Sequence, residues 1–197
     1  MTVPLDERRA AFVKSLYGLQ AGLDSRNTAL RAACRRTLAG LRRGLTGQPG
    51  IGAQDIVFRH DPPEGELDAW LLVAGLFATH PNGVGGRRSL GASMFALREK
   101  RKDSATRRFE QLLLRDRGGL PHHLRQVIRL LASDGIAVNY AGLLDDLVIL
   151  LGDGYRGESA HRVRLRWARD FHTGGRAVSA ERPSATVTTE RPSEETP

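Results

Sequence analysis

Residues 66–79 read ELDAWLLVAGLFAT, and this stretch decides the fold. A helix over these residues is apolar on nearly every face instead of along one stripe, so it must be surrounded by other elements. The uninterrupted apolar run, Ala69–Ala78, has about half of the roughly 20 residues that a membrane span needs. We therefore expect a core helix of a soluble, intracellular protein with no membrane segment.

Helical spacing of apolar residues continues on both sides of this stretch, and the alternation typical of strands is nearly absent. Upstream it predicts a helix over Leu5–Leu23 and a second one from a cap at Asn27 to Gly44. Downstream it predicts five more: Leu90–Glu99 capped by Ser89, Ser104–Arg115 capped by Asp103, Pro121–Asp134, Tyr140–Leu151 and Glu158–His172. The sequence thus predicts an all-α bundle of about eight helices.

Glycine and proline mark the expected boundaries within the chain. Residues 47–63 are rich in both and should interrupt the helical pattern. The glycines of residues 83–88 predict a connection between two small lobes, an N-terminal one over 1–82 and a C-terminal one over 83–173. Residues 174–197 consist largely of Ser, Thr, Pro and Glu, which cannot offset their ordering entropy, so we expect a disordered tail.

The charge of the chain is strongly positive. Lys and Arg total 30 against 22 acidic residues, and only Lys14, Lys100 and Lys102 are lysines. Without the tail from Gly174 onward, 27 basic and 18 acidic residues leave the body at +9. Such a body favours an anionic partner, most often nucleic acid, and the planar fork of arginine suits phosphate. A GC-rich genome could explain the preference for Arg over Lys, but not the excess of charge.

No catalytic or metal-binding constellation is apparent, and we predict a non-enzyme without cofactors. The neighbouring His122 and His123 point about 100° apart on a helix and cannot share a metal. Asp145 and Asp146 diverge in the same way, which favours a polar face or an interhelical salt bridge over a nuclease site. The single cysteine, Cys34, lies on an apolar stripe and fits a reducing cytoplasm.

Arginines recur instead on helical faces. They form these clusters: Arg31, Arg35 and Arg42; Arg98 and Arg101 with Lys100 and Lys102; Arg107 and Arg108; Arg125 and Arg129; Arg162, Arg166 and Arg169. Any single cluster is also consistent with a solvated face or an ion-pair ladder. The aromatic residues fall mostly on apolar stripes, so backbone contact is favoured over base stacking.

The second half of the chain resembles the CasB family, the small subunit of the type I-E CRISPR surveillance complex called Cascade. The matching segments are GLFATHP at 75–81, RSLG at 88–91, Arg107–Phe109 with Leu112–Leu113 and Asp116–Arg117, LPHHLR at 120–125, Arg162–Arg164 and WARDF at 167–171. The resemblance covers about residues 8–172 and is best after Leu67. Residues 44–66 and the tail fall outside it.

This resemblance implies an all-helical, two-lobed, non-catalytic subunit. Its expected partners are the Cascade backbone and large subunits, guide RNA, target DNA (above all the displaced strand) and another copy of itself. Its expected role is to hold nucleic-acid backbone without sequence preference and so to stabilise the R-loop in antiviral defence. Carried onto this chain, the role falls on Arg31, Arg35, Arg107, Arg108, Arg117, Arg125, Arg162 and Arg166, and next on Arg87, Arg98 and Arg101.

Three alternatives stay open at this point. The first is a pure scaffold whose basic surface pairs with partner proteins or guide RNA. The second is a nuclease that uses Asp145 and Asp146. The third is a free-standing DNA-binding regulator, which would need a recognition helix with Asn or Gln readers. No such helix is visible in the sequence.

Overall fold

A computed structural model of the chain describes residues 3–47, 51–81 and 88–175. Within this part the chain forms eight α-helices and no strand. The helices are α1 (Leu5–Leu23), α2 (Thr28–Gly44), α3 (Ile51–Phe58), α4 (Leu67–Thr79), α5 (Leu90–Leu113), α6 (Leu120–Ser133), α7 (Tyr140–Leu151) and α8 (Glu158–Thr173). The prediction of an all-α fold with about eight helices is confirmed.

Helix α4 is the centre of the molecule. Nine of its residues are buried, from Ala69 and Trp70 through to Ala78. It packs against α2, α7, α6 and α3, so that each of its faces meets another helix. The remaining helices turn one apolar stripe toward this core and their polar faces outward, as the amphipathic pattern requires. None of the helices in the described ranges is long and apolar enough to cross a bilayer.

Two glycines allow neighbouring helices to approach closely. A Cβ at Gly75 of α4 would lie 2.5 Å from the side chain of Leu45, and one at Gly91 of α5 would lie 2.0 Å from the carbonyl oxygen of Trp167. Real Cβ atoms cannot approach so near. Glycine at these two positions therefore allows α2 to pack closely on α4 and α8 to pack closely on α5.

The predicted helix boundaries hold for most elements, and one expectation is wrong. Residues 47–63 do not simply interrupt the pattern, because α3 forms within them and buries Ile56 and Val57. Tertiary packing outweighs the local glycine and proline signals there. The two helices expected over 90–99 and 104–115 are both present within α5, where they meet at a break in the helical backbone at Lys102 (φ 34°, ψ −109°). Asp103, the expected cap of the second helix, directly follows this break.

One continuous cluster of buried residues runs through the fold, from Phe12 of α1 to Phe171 of α8. Helix α8 ends at Gly174, which adopts the left-handed conformation (φ 69°) that glycine tolerates at a helix C-terminus. The division into lobes at 83–88 stays a prediction. Residues 82–87 lie outside the described part of the chain, as do residues 176–197 of the expected disordered tail.

We expect Gly91→Ala to destabilise the protein by about 3 kcal/mol or more, because its methyl group would collide with the rigid backbone at Trp167. Gly18→Ala is the matched control. Gly18 also lies in a helix, but it has open space around it, so alanine should add about 0.5–1 kcal/mol of stability. Urea unfolding of both variants measures the difference. Equal stabilities would refute the close contact between α5 and α8.

Candidate nucleic-acid interface

Helix α2 carries the most concentrated positive charge in the described structure. The side chain of Asn27 caps its N-terminus by accepting hydrogen bonds from the backbone N–H groups of Ala29 (3.0 Å) and Leu30 (3.2 Å). Cys34, Leu38 and Leu41 are buried on the inner face. This inner stripe orients the helix so that its arginines turn toward solvent.

Five arginines line the outer side of α2, and the helix contains no acidic residue. They are Arg31, Arg35, Arg36, Arg42 and Arg43. At about 100° per residue they form two rows, Arg31 with Arg35 and Arg42 in one and Arg36 with Arg43 in the other, separated by Ala32 and Ala39. None of the five has an ion-pair partner among the residues that the structure describes. We call this surface the α2 arginine face.

The sequence predicts only part of the α2 arginine face. Arg31 and Arg35 are expected to contact nucleic acid, with Arg42 on the same row, whereas Arg36 and Arg43 are not among the expected contacts. Both are exposed or nearly so on the outer side of the helix. The signal was available in the sequence, because their spacing of seven places them on a common face.

The predicted arginines of α5 have unlike surroundings. Arg107 is exposed and, within the described ranges, has no ion-pair partner. Arg108 donates to Oε1 of Gln126 on α6 (3.2 Å). Arg101 is paired with Asp134 (2.7 Å), and the guanidinium of Arg98 lies 4.8 Å from the ring centre of Phe95. Of these four, Arg107 is the one most available to an outside anion.

Arg117 and Arg125 face the end of α2. Arg125 donates to the backbone carbonyl of Leu45, the residue that caps the C-terminus of α2. Arg117 lies between Asp68 (3.7 Å) and Asp153 (3.8 Å). Arg125 thus satisfies a carbonyl that the helix end leaves without an intrahelical partner, and this gives it a structural role.

The arginines of α8 are mostly paired within the molecule. Arg162 reaches Glu158 (3.4 Å), Arg169 reaches Asp170 (3.3 Å), and Arg166 contacts the buried carboxylate of Asp146. Arg87, the remaining predicted contact, lies outside the described residues. The structure therefore distinguishes the arginines of α8, most of which have acidic partners, from those of α2, which have no ion-pair partner among the described residues.

The two adjacent aspartates of α7 serve different contacts. Asp146 accepts a hydrogen bond from the indole N–H of Trp167 (2.6 Å), and its burial raises the pKa of the carboxyl, against the opposing effects of Trp167 and Arg166. Asp145 lies 3.4 Å from Arg9 of α1, and burial raises its pKa as well. Both carboxylates join α7 to neighbouring helices, as the salt-bridge interpretation predicted.

The described histidines have ordinary structural partners. Nε2 of His80, buried at the end of α4, lies 2.8 Å from the carbonyl oxygen of Ile136, and Nε2 of His122 lies 2.7 Å from the amide of Gln126. Burial lowers the pKa of His60, which contacts Ser15. Across 3–47, 51–81 and 88–175, no three His, Cys, Asp or Glu residues are grouped so that they could hold a metal ion.

Comparison with known proteins gives a consistent result. The sequence profile of the CRISPR-associated protein Cse2 family matches residues 37–172. The chain is similar to a Cse2-family protein from Thermus thermophilus, with 26% identity, a TM-score of 0.64, and 87% of this chain and 99% of that one covered. It is also similar to CasB from M. ruber, with 26% identity, a TM-score of 0.60, and coverages of 85% and 93%.

A chain of a CRISPR RNA-guided surveillance complex shares the fold, with 21% identity, a TM-score of 0.66, and 87% of this chain and 95% of that one covered. No curated protein sequence matches the chain. Residues 31–36, which carry three arginines of the α2 arginine face, precede the part matched by the family profile.

The pairing pattern predicts that Arg166 and Arg162 differ in their effect on stability. Arg166→Ala leaves the buried Asp146 with Trp167 as its remaining donor and should cost about 1–3 kcal/mol. Arg162→Ala removes an exposed pair with Glu158 and should change stability by less than about 0.5 kcal/mol. Chemical denaturation distinguishes the two variants. If Arg162→Ala proved the more damaging, the assignment of the buried pair would be wrong.

Proposed function

The chain belongs to the CRISPR-associated Cse2 family, and from that premise we propose that it is a non-catalytic subunit of an RNA-guided CRISPR surveillance complex. In this proposal it holds nucleic-acid backbone through arginines, without reading sequence, and so stabilises target DNA and the displaced strand of the R-loop. Its partners are the backbone and large subunits of the complex, guide RNA, target DNA and a second copy of itself. It works in the cytoplasm.

The α2 arginine face is the observation that carries the proposal. Its five arginines belong to an acid-free helix and have no ion-pair partner in the described structure. Four of them are exposed and Arg31 is partly exposed, and Arg42 also donates to the carbonyl of Leu38 (3.4 Å). Unpaired arginines repel one another, so a surface that keeps five of them side by side is best explained by an anion that binds across it. The regular spacing of phosphates along a strand fits two rows of arginines on one helix.

The same surface favours contact with backbone over base readout. Asparagine and glutamine, the usual readers of adenine, are absent from α2. Large aromatic side chains are buried in pairs, such as Phe12 with Trp70 and Phe77 with Tyr140. A duplex and a guide heteroduplex are nearly equal in stability, so modest contacts to the displaced strand suffice to shift the balance toward an open R-loop.

A second candidate, a protein-binding scaffold, is favoured by one other surface. Leu165 is 54% exposed on the outward face of α8, and Leu114 at the end of α5 is 84% exposed. Around Leu165 the arginines are already paired, as with Arg162 and Arg169. Such a face suits a neighbouring protein subunit. The two functions are compatible, because they use opposite kinds of surface.

Neutralising two arginines of the α2 arginine face should weaken binding to single-stranded DNA and flatten its salt dependence. For Arg31→Gln with Arg35→Gln, the slope of log affinity against log salt should fall by about 1.4 if each arginine neutralises one phosphate. The control is Arg59→Gln with Arg169→Gln, which removes the same charge from arginines paired with Asp55 and Asp170. Fluorescence anisotropy measures both.

The control double variant should keep the wild-type slope of log affinity against log salt, because Arg59 and Arg169 each form an ion pair within the molecule. A loss of affinity equal in the two double variants would mean that only net charge matters. That outcome would contradict the assignment of binding to α2.

Arg107→Glu separates the backbone-binding function from the scaffold function. Arg107 is exposed and has no ion-pair partner among the described residues. Reversing its charge should therefore leave assembly of the reconstituted complex intact and weaken its binding to target DNA. Arg107→Lys, which keeps the charge, should retain most of the affinity. Gel filtration of the assembled complex and a DNA-binding titration report the two properties. Loss of assembly with normal DNA binding would support the scaffold instead.

A further inference from the structure

A groove of about 570 Å³ opens where the last turn of α2 meets α3, α4 and α6. Its walls are aliphatic and consist of Leu41, Leu45, Leu71, Leu72, Pro121 and Leu151. This volume lies within the range of small-molecule sites. We propose that the groove binds one unstacked nucleobase of the strand held by the α2 arginine face; this inference rests on the proposed function.

The rim of the groove is polar and chemically mixed. Gln54 and Asp68 supply an amide and a carboxylate, and Arg117 and Arg125 supply guanidinium groups. Arg125 is fixed by its bond to the carbonyl of Leu45, and Arg117 is held loosely between Asp68 and Asp153. The rim therefore offers both donors and acceptors, together with the flat guanidinium faces on which bases stack.

This combination fits a nucleobase better than the side chain of a partner protein. A base has two flat apolar faces and an edge that both donates and accepts hydrogen bonds. Aliphatic walls receive the faces, and the mixed rim receives the edge. An aliphatic protein side chain would fill the walls but would make no hydrogen bond to the rim, where the amide of Gln54 adds to the guanidinium groups and the carboxylate.

The groove also lies at the end of the helix that carries the α2 arginine face. Leu41, Gly44 and Leu45, which line it, lie in or next to the last turn of α2, and Arg42 and Arg43 lie on other faces of that turn. A strand whose phosphates contact those two arginines is therefore within about one helix diameter, roughly 10 Å, of the groove. A strand gripped by its backbone leaves its bases free to turn, and the adjacent groove gives one of them an apolar site.

Gly118→Phe is the variant that fills the groove. Gly118 belongs to its lining, has no positive φ, and has no atom nearer than 3.9 Å to an added Cβ, so a side chain can start there without a backbone clash. Gly154→Phe is the matched control, because Gly154 has open space around it and is not part of the groove. Thermal unfolding monitored by circular dichroism verifies that both variants are folded.

The experiment compares two single-stranded oligonucleotides of equal length, one with bases and one abasic at most positions, across a salt series. The wild type should bind the abasic strand about 10-fold more weakly, the loss expected when one stacked base is removed. Gly118→Phe should bind both strands with the same reduced affinity and an unchanged salt slope. Gly154→Phe should behave as the wild type does.

The outcomes separate this inference from the proposed function. If the wild type binds both strands equally while its salt slope stays steep, the groove holds no base, and backbone binding stands. If Gly118→Phe binds DNA normally but fails to assemble with the other subunits, the groove belongs to a protein partner and the inference is overturned. If no oligonucleotide binds even at low salt, both the inference and the proposed function fail.

Discussion

The burial of α4 on all sides is the constraint on which the rest of the structure depends. Helix α4 has nine buried residues and contacts α2, α3, α6 and α7. This burial determines which face of each neighbouring helix turns toward α4. The neighbours must turn their apolar stripes inward to remove the surface of α4 from water. Gly75 tightens this arrangement, since its missing side chain is what allows Leu45 of α2 to lie against α4.

The proposed function follows from that constraint through α2. Because the apolar stripe of α2 packs on α4, the arginines lie on the remaining faces of the helix. There they form the acid-free α2 arginine face. Helix α8 shows the contrast. It carries four arginines, yet Arg166 contacts Asp146 and Arg162 contacts Glu158, so that much of its positive charge is paired within the molecule. The same residue type thus stabilises the fold on one helix and is free to bind an anion on another.

The sequence predicted most helices because their periodicity and caps agree with their packing. Asn27 caps α2 and Ser89 caps α5, as expected. Helix α3 was missed because its eight residues lie between glycines and prolines and depend on burial of Ile56 and Val57. The break in α5 at Lys102, by contrast, lies between the two helices that the sequence predicts over 90–99 and 104–115.

The candidate site was predictable in part. Spacing alone places Arg31 and Arg35 on one face, but it cannot tell a free arginine from a paired one. Arg125 contacts a carbonyl 80 positions away, and Arg166 contacts an aspartate 20 positions away. Such partners are set by how the helices dock. The distribution of unpaired charge is therefore a property of the fold, which a count of basic residues does not reveal.

Photo-crosslinking of the folded chain to a random-sequence single strand that contains 4-thiothymidine, mapped by mass spectrometry, is the most direct test of binding to the α2 arginine face. If nucleic acid binds there, crosslinks should concentrate on residues 28–44, around Ala32 and Ala39 between the two arginine rows, and should decrease as salt is raised. Crosslinks confined to α8, with none on α2, would contradict it.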